Sequence, residues 1–227
     1  MLSFFSSLFG SKKPRLTDLT LNTEGWELHH QNEASIAWFA PQREAVRIQL
    51  FPACEWPFSL SDVEAAKEYW QRETERLSGA LIDIETLNIQ KVPALRAIFK
   101  YRDPTPGSLG IYYVGIIWLP FKDALFQINV EDVERGTTGV REAIVANLLL
   151  HKGEIEFSEE EPEMLNSGEE LFARLRESKL HRIPSDDRQY DEALPEHPLS
   201  RVRKLLDFCA SEIQLSRSLQ KTTPLSG

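Results

Sequence analysis

Alternation of apolar and polar residues is the feature that most restricts the fold of this chain. In the stretch AVRIQLF, Val46 and Ile48 flank Arg47, and the stretch ALFQINVED repeats the pattern around Gln127. A period of two places successive side chains on opposite faces of a strand, so the pattern predicts a sheet with one face exposed to water. Strands are predicted at residues 26–30, 35–40, 45–51, 80–89, 93–103, 109–120 and 124–132.

One amphipathic helix interrupts the strands, between residues 61 and 78. Ser61 is a favourable N-cap residue, and Glu64 three residues later completes a capping box. Gly79 follows at the position where helices commonly end. The helix is expected to pack on the sheet through Val63, Ala66, Trp70 and Leu77.

The stretch RGTTGVREAIVANLLL, residues 135–150, is the most motif-like part of the chain. Gly136 and Gly139 are only three residues apart and no lysine is nearby, so the stretch lacks the pattern of a phosphate-binding Walker loop. It instead predicts a helix that begins at Thr137 or Thr138, with anion binding by the free N–H groups as the alternative. The residues expected to face the core are Val140, Ala143, Ile144 and Leu148.

The predicted order of elements is β-β-β-α-β-β-β-β-α. Strands that occur in runs, followed by helices, predict an α+β fold with an antiparallel sheet and helices packed on it. The elements that define this order are SLSDVEAAKEYWQRETERL, YYVGIIWLPFKDALFQINV and TTGVREAIVANLL.

In that order the chain resembles the PsbP/Mog-like fold over about residues 20–150. This fold is shared by the photosystem subunit PsbP, the Ran-binding Mog proteins and the bacterial DcrB-like chaperones of type VI secretion effectors. Its members mostly bind proteins and are not enzymes, so the resemblance implies a protein-binding function by analogy.

The composition changes after residue 150. Residues 151–197 hold eight glutamates between Glu154 and Glu170, followed by two prolines, Pro184 and Pro195, which predicts an acidic, irregular connector with a short helix at residues 169–178. Residues 198–227 predict an amphipathic helix and a tail, with Pro198 at the start of the helix. We expect this helix to cover the apolar face of YYVGIIWL with the stripe Leu199, Val202, Leu205, Leu206, Cys209 and Ile213.

Residues 1–19 form a lead before the predicted sheet domain of residues 20–150. The apolar part of this lead precedes its basic residues, the reverse of a secretory signal, so we expect a short amphipathic segment. Peripheral attachment to a membrane through residues 1–9 is the alternative. No stretch of the sequence reaches the roughly 18 apolar residues that a membrane-spanning helix needs.

The charge of the chain argues against nucleic acid as a partner. The formal net charge is −9, whereas binding to phosphates requires an excess of Lys and Arg. Cys54 and Cys209 form no disulfide framework, so we expect two reduced thiols and a cytoplasmic location, with a disulfide between them open but not predicted.

Residues with catalytic or metal-binding chemistry are scattered along the sequence. No two histidines stand four residues apart, and the adjacent His29 and His30 would point to opposite faces of a strand. We therefore predict no metal site, no cofactor and no catalytic residue. The alternative is a small hydrolase that uses Cys54 or a histidine, because Cys54 lies in the stretch FPACEWP and could be exposed.

Aromatic residues supply the candidate partner-binding residues. Phe51, Trp56 and Phe58 lie in the proline-bounded stretch FPACEWPF, and Tyr112 and Trp118 lie in YYVGIIWL. Aromatic side chains anchor many protein interfaces, although these rings could instead pack beneath the edge of the sheet. The sequence thus favours a non-enzymatic protein-binding module of the chaperone, adaptor or immunity type.

Overall fold

The computed structural model describes residues 13–156, 174, 176 and 178–221. Its strands are β1 (Leu19–Thr20), β2 (Glu27–Gln31), β3 (Ser35–Phe39), β4 (Ala45–Pro52), β5 (Ala80–Ile89), β6 (Val92–Arg102), β7 (Ile111–Phe121), β8 (Ala124–Val133) and β9 (Gln214–Leu215). Its helices are α1 (Val63–Arg76), α2 (Val140–His151), α3 (Pro198–Glu212) and α4 (Arg217–Gln220).

Seven strands form one antiparallel sheet in the order β2-β3-β4-β8-β7-β6-β5. The predicted α+β architecture, an antiparallel sheet with helices packed on it, is therefore confirmed. Strands β7 and β8 lie inside the sheet and pair along their whole length as a hairpin. The inner position of β7 accounts for its apolar residues on both faces, since both of its faces are buried over most of its length.

Helix α1 packs on one face of the sheet, above β5 and β6. Its Ala66 is fully buried, and Trp70 packs on a cluster that includes Leu95, Phe99 and Trp118. Leu95 and Phe99 lie four residues apart on β6, and Leu95 pairs with Trp118 of β7, so the three side chains share one face of the pleated sheet.

Two details of α1 differ from the sequence prediction. Asp62, not Ser61, is the N-cap: its carboxylate accepts the backbone N–H of Ala65 at 3.0 Å, whereas the Ser61 hydroxyl pairs with that of Ser59 at 2.7 Å. The prediction that Leu77 packs on the sheet is also wrong, because the helix ends at Arg76 and Leu77 is 69% exposed.

Helix α3 packs on the opposite face, above β7 and β8. The predicted covering is confirmed: at Gly115 of β7 a Cβ atom would lie 2.9 Å from Leu206 Cδ2 and 3.0 Å from Val202 Cγ1. The helix backbone thus approaches the sheet so closely that only glycine fits beneath it. The predicted stripe is buried in the main core, with Leu205 partly exposed: Leu199, Val202, Leu206, Cys209 and Ile213.

Helix α2 does not lie on the sheet, and the prediction of its buried face is wrong. Val140, Ile144 and Leu148 are 43%, 39% and 43% exposed, whereas Val145 and Leu149 are buried against Tyr190. The helix begins after Gly139, which takes a left-handed conformation, and no side chain caps it, so neither Thr137 nor Thr138 serves as N-cap. The sequence showed that the helix is apolar but did not show which segment would contact it.

Buried charges fasten the irregular segment at residues 183–191 to the rest of the fold. Arg141 of α2 is fully buried and donates hydrogen bonds to the carbonyl oxygens of Ser185 and Asp187 and to the Asp191 carboxylate at 2.9 Å. Lys100 of β6 donates to Asp186 at 2.7 Å, and both side chains are almost fully buried. The predicted short helix at residues 169–178 lies almost wholly outside the described residues.

The two ends of the described chain meet in a second, two-stranded sheet of β1 and β9. Asp18, just before β1, accepts hydrogen bonds from the backbone N–H of Arg15 and from the hydroxyls of Ser216 and Ser218. Burial alone would raise the pKa of Asp18, but these hydrogen bonds and the Arg15 charge outweigh it and lower the pKa. The C-terminal segment thus packs against the start of the chain through β1 and β9.

Candidate functional site

Part of the α1 face of the sheet carries no helix of the described residues, and we call it the open face. It consists of the side chains of β4, β8 and β7 that point away from α3. The register aligns them across the strands: Arg47 pairs with Asn129, and Gln49 pairs with Gln127, which in turn pairs with Trp118. Because side chains alternate along each strand, these residues share one surface.

A line of hydrogen bonds runs along β8 on the open face. Trp118 Nε1–H donates to Gln127 Oε1 at 2.9 Å, Gln127 Nε2–H donates to Asn129 Oδ1 at 2.7 Å, and Asn129 Nδ2–H donates to Glu131 Oε1 at 3.1 Å. Arg47 of the neighbouring strand also donates to Glu131 Oε1, at 3.0 Å. Connected polar groups hold one another in position, so the network fixes the orientation of these side chains.

Tyr112 completes the network at its Glu131 end, where its hydroxyl donates a hydrogen bond to the Glu131 carboxylate. Burial raises the pKa of Tyr112, and its hydrogen bond to Glu131 and the charge of that carboxylate raise it further, while Arg47 partly opposes them. The tyrosine therefore stays neutral and acts as a donor. Glu131 receives hydrogen bonds from Tyr112, Arg47 and Asn129, an arrangement that fixes its carboxylate.

An aromatic cluster borders the open face where α1 begins to cover the sheet. Trp70 stacks on Trp118 with ring centroids 4.6 Å apart, and Trp118 is only 3% exposed. Trp56 stacks on Phe58 at 5.4 Å, and both rings are half-buried. Phe51, at the end of β4, is 37% exposed.

The structure therefore brings the five sequence candidates to one side of the sheet. The loop aromatics Trp56 and Phe58 pack on the cluster around Trp118, so aromatic residues from both sequence stretches lie on one surface. Trp118 itself is covered and supports the other rings from below. The polar residues of the open face were recognisable in the sequence only as the wet positions of alternating strands; they are Arg47, Gln49, Gln127, Asn129 and Glu131.

The groups suited to covalent catalysis lie apart from one another. Cys54 is exposed and free, and it lines neither the groove along β5 nor the groove beside Trp26 and Phe208. Cys209 is free and buried in α3, and burial raises its pKa to about 12. The hydrolase that would use Cys54 stays an alternative hypothesis.

The histidines serve local contacts where the structure shows their partners. His29 packs its ring on Phe39 at 4.9 Å, and His30 is hydrogen-bonded to Asn32 at 3.0 Å. His197 accepts the N–H of Leu199 at the start of α3, at 3.2 Å. Across the residues that the structure describes, no group of three or more His, Cys, Asp or Glu side chains is arranged to bind a metal ion.

No helix in the described ranges has the length and apolar character needed to cross a bilayer. The segment proposed as a peripheral anchor, residues 1–9, lies outside the described residues, so that alternative stays a hypothesis.

Comparison with known proteins gives similarity of fold at low sequence identity. No family model matches the chain, and no curated protein matches it. The Ran-binding protein Mog1p of Saccharomyces cerevisiae is similar at 10% identity, over 92% of this chain and 99% of that chain, with a TM-score of 0.40. The cyanobacterial PsbP protein of Synechocystis sp. PCC 6803 is similar at 9% identity, over 67% of this chain and 96% of that chain, with a TM-score of 0.36.

A protein of Bacteroides thetaiotaomicron is similar at 12% identity over 56% of this chain, with a TM-score of 0.34. This chain spans 44% of the length of that protein. Mog and PsbP proteins, which the fold resemblance in the sequence names, are among the similar structures, and the DcrB-like branch stays a prediction.

Proposed function

We propose that this chain is a cytoplasmic, non-enzymatic protein-binding module of the chaperone, adaptor or immunity type, and that it binds its partner on the open face. The observation that carries the proposal is a hydrogen-bonded polar surface, bordered by aromatic rings, on a part of the sheet that no described helix covers. A sheet face of this kind is stable in water and needs no rearrangement before it binds.

The chemistry of the surface matches the centres of protein interfaces. Aromatic residues and arginine are enriched there, and a few of them contribute most of the binding free energy. Phe51 and the half-buried Trp56 and Phe58 supply aromatic area, and Tyr112 lies at the other end of the polar network. Arg47 is 42% exposed through its side chain, and its Nε–H has no hydrogen-bond partner in the described chain.

Preorganisation favours affinity at this surface. Ordering a long side chain on binding typically costs about 0.5–1.5 kcal/mol, and residues that are already hydrogen-bonded avoid most of that cost. Trp118 contributes in this indirect way, since its indole holds Gln127 and its ring supports the neighbouring aromatic side chains.

The size of the open face sets a requirement on the partner. Three strands about 4.8 Å apart, with about eight residues each, present roughly 380 Å². A stable interface buries about 800 Å² on each side. We therefore expect the partner to contact the loop at residues 53–58 as well as the strands.

Capture of partners from native lysate by the tagged full-length chain tests the proposal when variants are compared quantitatively. Phe51→Asp places a charge at the exposed end of β4 and should reduce recovery of the specific partner at least about tenfold, the effect of about 1.4 kcal/mol. Leu28→Asp is the matched control, because Leu28 is 55% exposed and lies on the opposite side of the sheet, paired with Trp38.

Equal recovery of the same proteins by both variants would show that the open face is not the binding surface. The variants should be folded, which circular dichroism and thermal unfolding can establish before capture.

A further inference from the structure

A groove of about 720 Å³ runs along the outer side of β5, at the edge of the sheet remote from β2. Its floor is formed by residues 80–84, one wall by α1, and the other wall by the extended segment at residues 179–182. Four of the five lining residues of α1 recur every four positions and so form one row along the helix, with Glu64 beside that row. They are Val63, Lys67, Gln71 and Glu75.

Strand β5 is an edge strand. It is hydrogen-bonded to β6, and no other strand of the described chain lies beside it. The Arg182 Nε–H donates to the Ile82 carbonyl oxygen at 3.1 Å, so one side chain already uses the outer edge of β5 as a hydrogen-bonding surface. An edge strand offers unpaired N–H and C=O groups to which a second extended chain can bind.

The groove lining carries five cationic and three acidic side chains, although the chain as a whole has a formal net charge of −9. Four of the five cations are ion-paired: Lys67 with Glu64, Arg182 with Asp187, Arg188 with Asp207 and Arg203 with Asp191. Lys179 is exposed and forms no ion pair within the described residues. A local positive charge on an acidic protein favours a ligand that carries negative charge. The cationic side chains of the lining are Lys67, Lys179, Arg182, Arg188 and Arg203, and the acidic ones are Glu64, Glu75 and Asp83.

Arg203 lines the groove from α3 and is only 3% exposed. Its Nη1 lies 3.1 Å from Asp191 Oδ1, and its Nη2 donates to the carbonyl oxygen of Asp186 at 2.6 Å. Its Nε–H has no hydrogen-bond partner in the part of the chain that the structure describes. Because buried donors are nearly always paired, a carbonyl or carboxylate oxygen that enters the groove would gain a hydrogen bond there.

We propose that this groove binds an acidic segment of a partner protein in an extended conformation, as an added strand beside β5. From Val63 to Glu75, α1 spans about 18 Å at about 1.5 Å per residue. This length matches about five or six residues of extended chain. The site is separate from the open face, so the inference goes beyond the function proposed above and does not depend on it.

A nucleic acid is a poorer match to this groove. Charge alone does not separate the two ligands, because Glu64, Glu75 and Asp83 line the groove together with the cations. An exposed strand edge, in contrast, pairs with a peptide backbone and has no counterpart for a nucleotide chain.

Fluorescence polarisation with a labelled peptide tests the inference on the full-length chain. The probe is an eight-residue peptide in which glutamate alternates with valine, and its first control has lysine in place of each glutamate. Two further peptides carry N-methyl groups on alternate backbone nitrogens, one on the odd positions and one on the even positions. In an added strand only one of these sets faces β5, so only one of the two methylated peptides should lose binding, by about tenfold or more.

Charge-reversal variants locate the site on the protein. Lys67→Glu combined with Lys179→Glu should weaken binding of the glutamate peptide about tenfold, because two attractions become repulsions. Lys122→Glu combined with Lys204→Glu is the matched control, since both lysines are exposed and lie outside the groove. Phe51→Asp should bind the peptide as the wild type does, which separates this test from that of the open face.

Three results would overturn the proposal. The first is no binding of the glutamate peptide, or equal binding of the lysine peptide. The second is an equal effect of the two N-methylated peptides, which would exclude pairing with the edge of β5. The third is binding of oligothymidylate at the same site with similar affinity, which would indicate a general polyanion site.

Discussion

Replacement of Gly115 by valine tests the packing of α3 on the sheet. A Cβ atom at this residue would lie 2.9 Å from Leu206 and 3.0 Å from Val202, closer than the usual carbon–carbon contact of about 3.5–4.0 Å. Gly115 lies within β7, where valine is otherwise favourable by up to about 1 kcal/mol. A loss of stability would therefore come from the contact with α3.

The size of the effect follows from the number of atoms added. Extra methyl groups in a well-packed core cost about 1–3 kcal/mol, and valine adds two methyl groups beyond the Cβ atom, so we expect about 3 kcal/mol. For a chain of this size, 1 kcal/mol lowers Tm by about 2–4 °C, which gives a decrease of roughly 6–12 °C. Urea unfolding followed by circular dichroism measures the free energy, and a thermal scan measures Tm.

Ala37→Val is the matched control because Ala37 pairs with Arg47 on the open face, where no described helix packs. Its stability should change by less than about 0.5 kcal/mol. The double variant Gly115→Val with Leu206→Ala should lose less free energy of unfolding than the two single variants lose together, because the smaller side chain at residue 206 makes room for the valine. If Gly115→Val were as stable as the wild type, α3 could not lie on β7 as described.

Three further predictions concern other parts of the molecule. Lys100→Met leaves the Asp186 carboxylate buried without its cation and should lower the free energy of unfolding by about 3–5 kcal/mol in urea titration, with part of the loss recovered when Asp186 is also replaced by leucine. In the native protein a thiol reagent should modify Cys54 alone, because Cys209 is buried and its pKa is raised to about 12. After denaturation the reagent should modify both thiols. Fast modification of two thiols in the native state would contradict the buried position of Cys209. Because the folded pKa of Asp18 lies below its ordinary value of 3.8, the contribution of Asp18 to the β1–β9 contact should be complete above that pH and lost as the pH falls through the lower folded value. Hydrogen exchange of residues 214–220 should show this acid sensitivity in the wild type and not in Asp18→Asn.

Part of the candidate site could be predicted from the sequence. The alternation around Arg47 and Gln127 identified two strands with a wet face, and the proline-bounded stretch identified Phe51, Trp56 and Phe58 as candidate contacts. What the sequence could not show is that these features meet, because the pairing of β4 with β8 joins residues about 80 positions apart. The sequence also did not predict that Trp118 is buried beneath Trp70, because a ring on a strand is covered only if a helix packs over it.

The groove beside β5 could be predicted from the sequence even less than the open face could. Its lining comes from α1, β5, the segment at residues 179–182 and α3, and no one of these stretches has a binding motif. Arg203 lies in a helix whose sequence has an ordinary amphipathic pattern. Its buried guanidinium is hydrogen-bonded to Asp186 and Asp191, which come from another part of the chain.

By itself the sequence determined the strands of the large sheet, the helix at residues 63–76 and the apolar stripe of α3, because side-chain periodicity is a local property of the chain. The tertiary structure decided that α1 and α3 lie on opposite faces, that α2 turns away from the sheet with Arg141 buried, and that the chain ends meet in β1 and β9. A period of 3.6 residues shows that a helix has an apolar side, but several surfaces can cover that side. The choice among them follows from close contacts such as Gly115 with Leu206 and from buried ion pairs, which form only when distant segments come together.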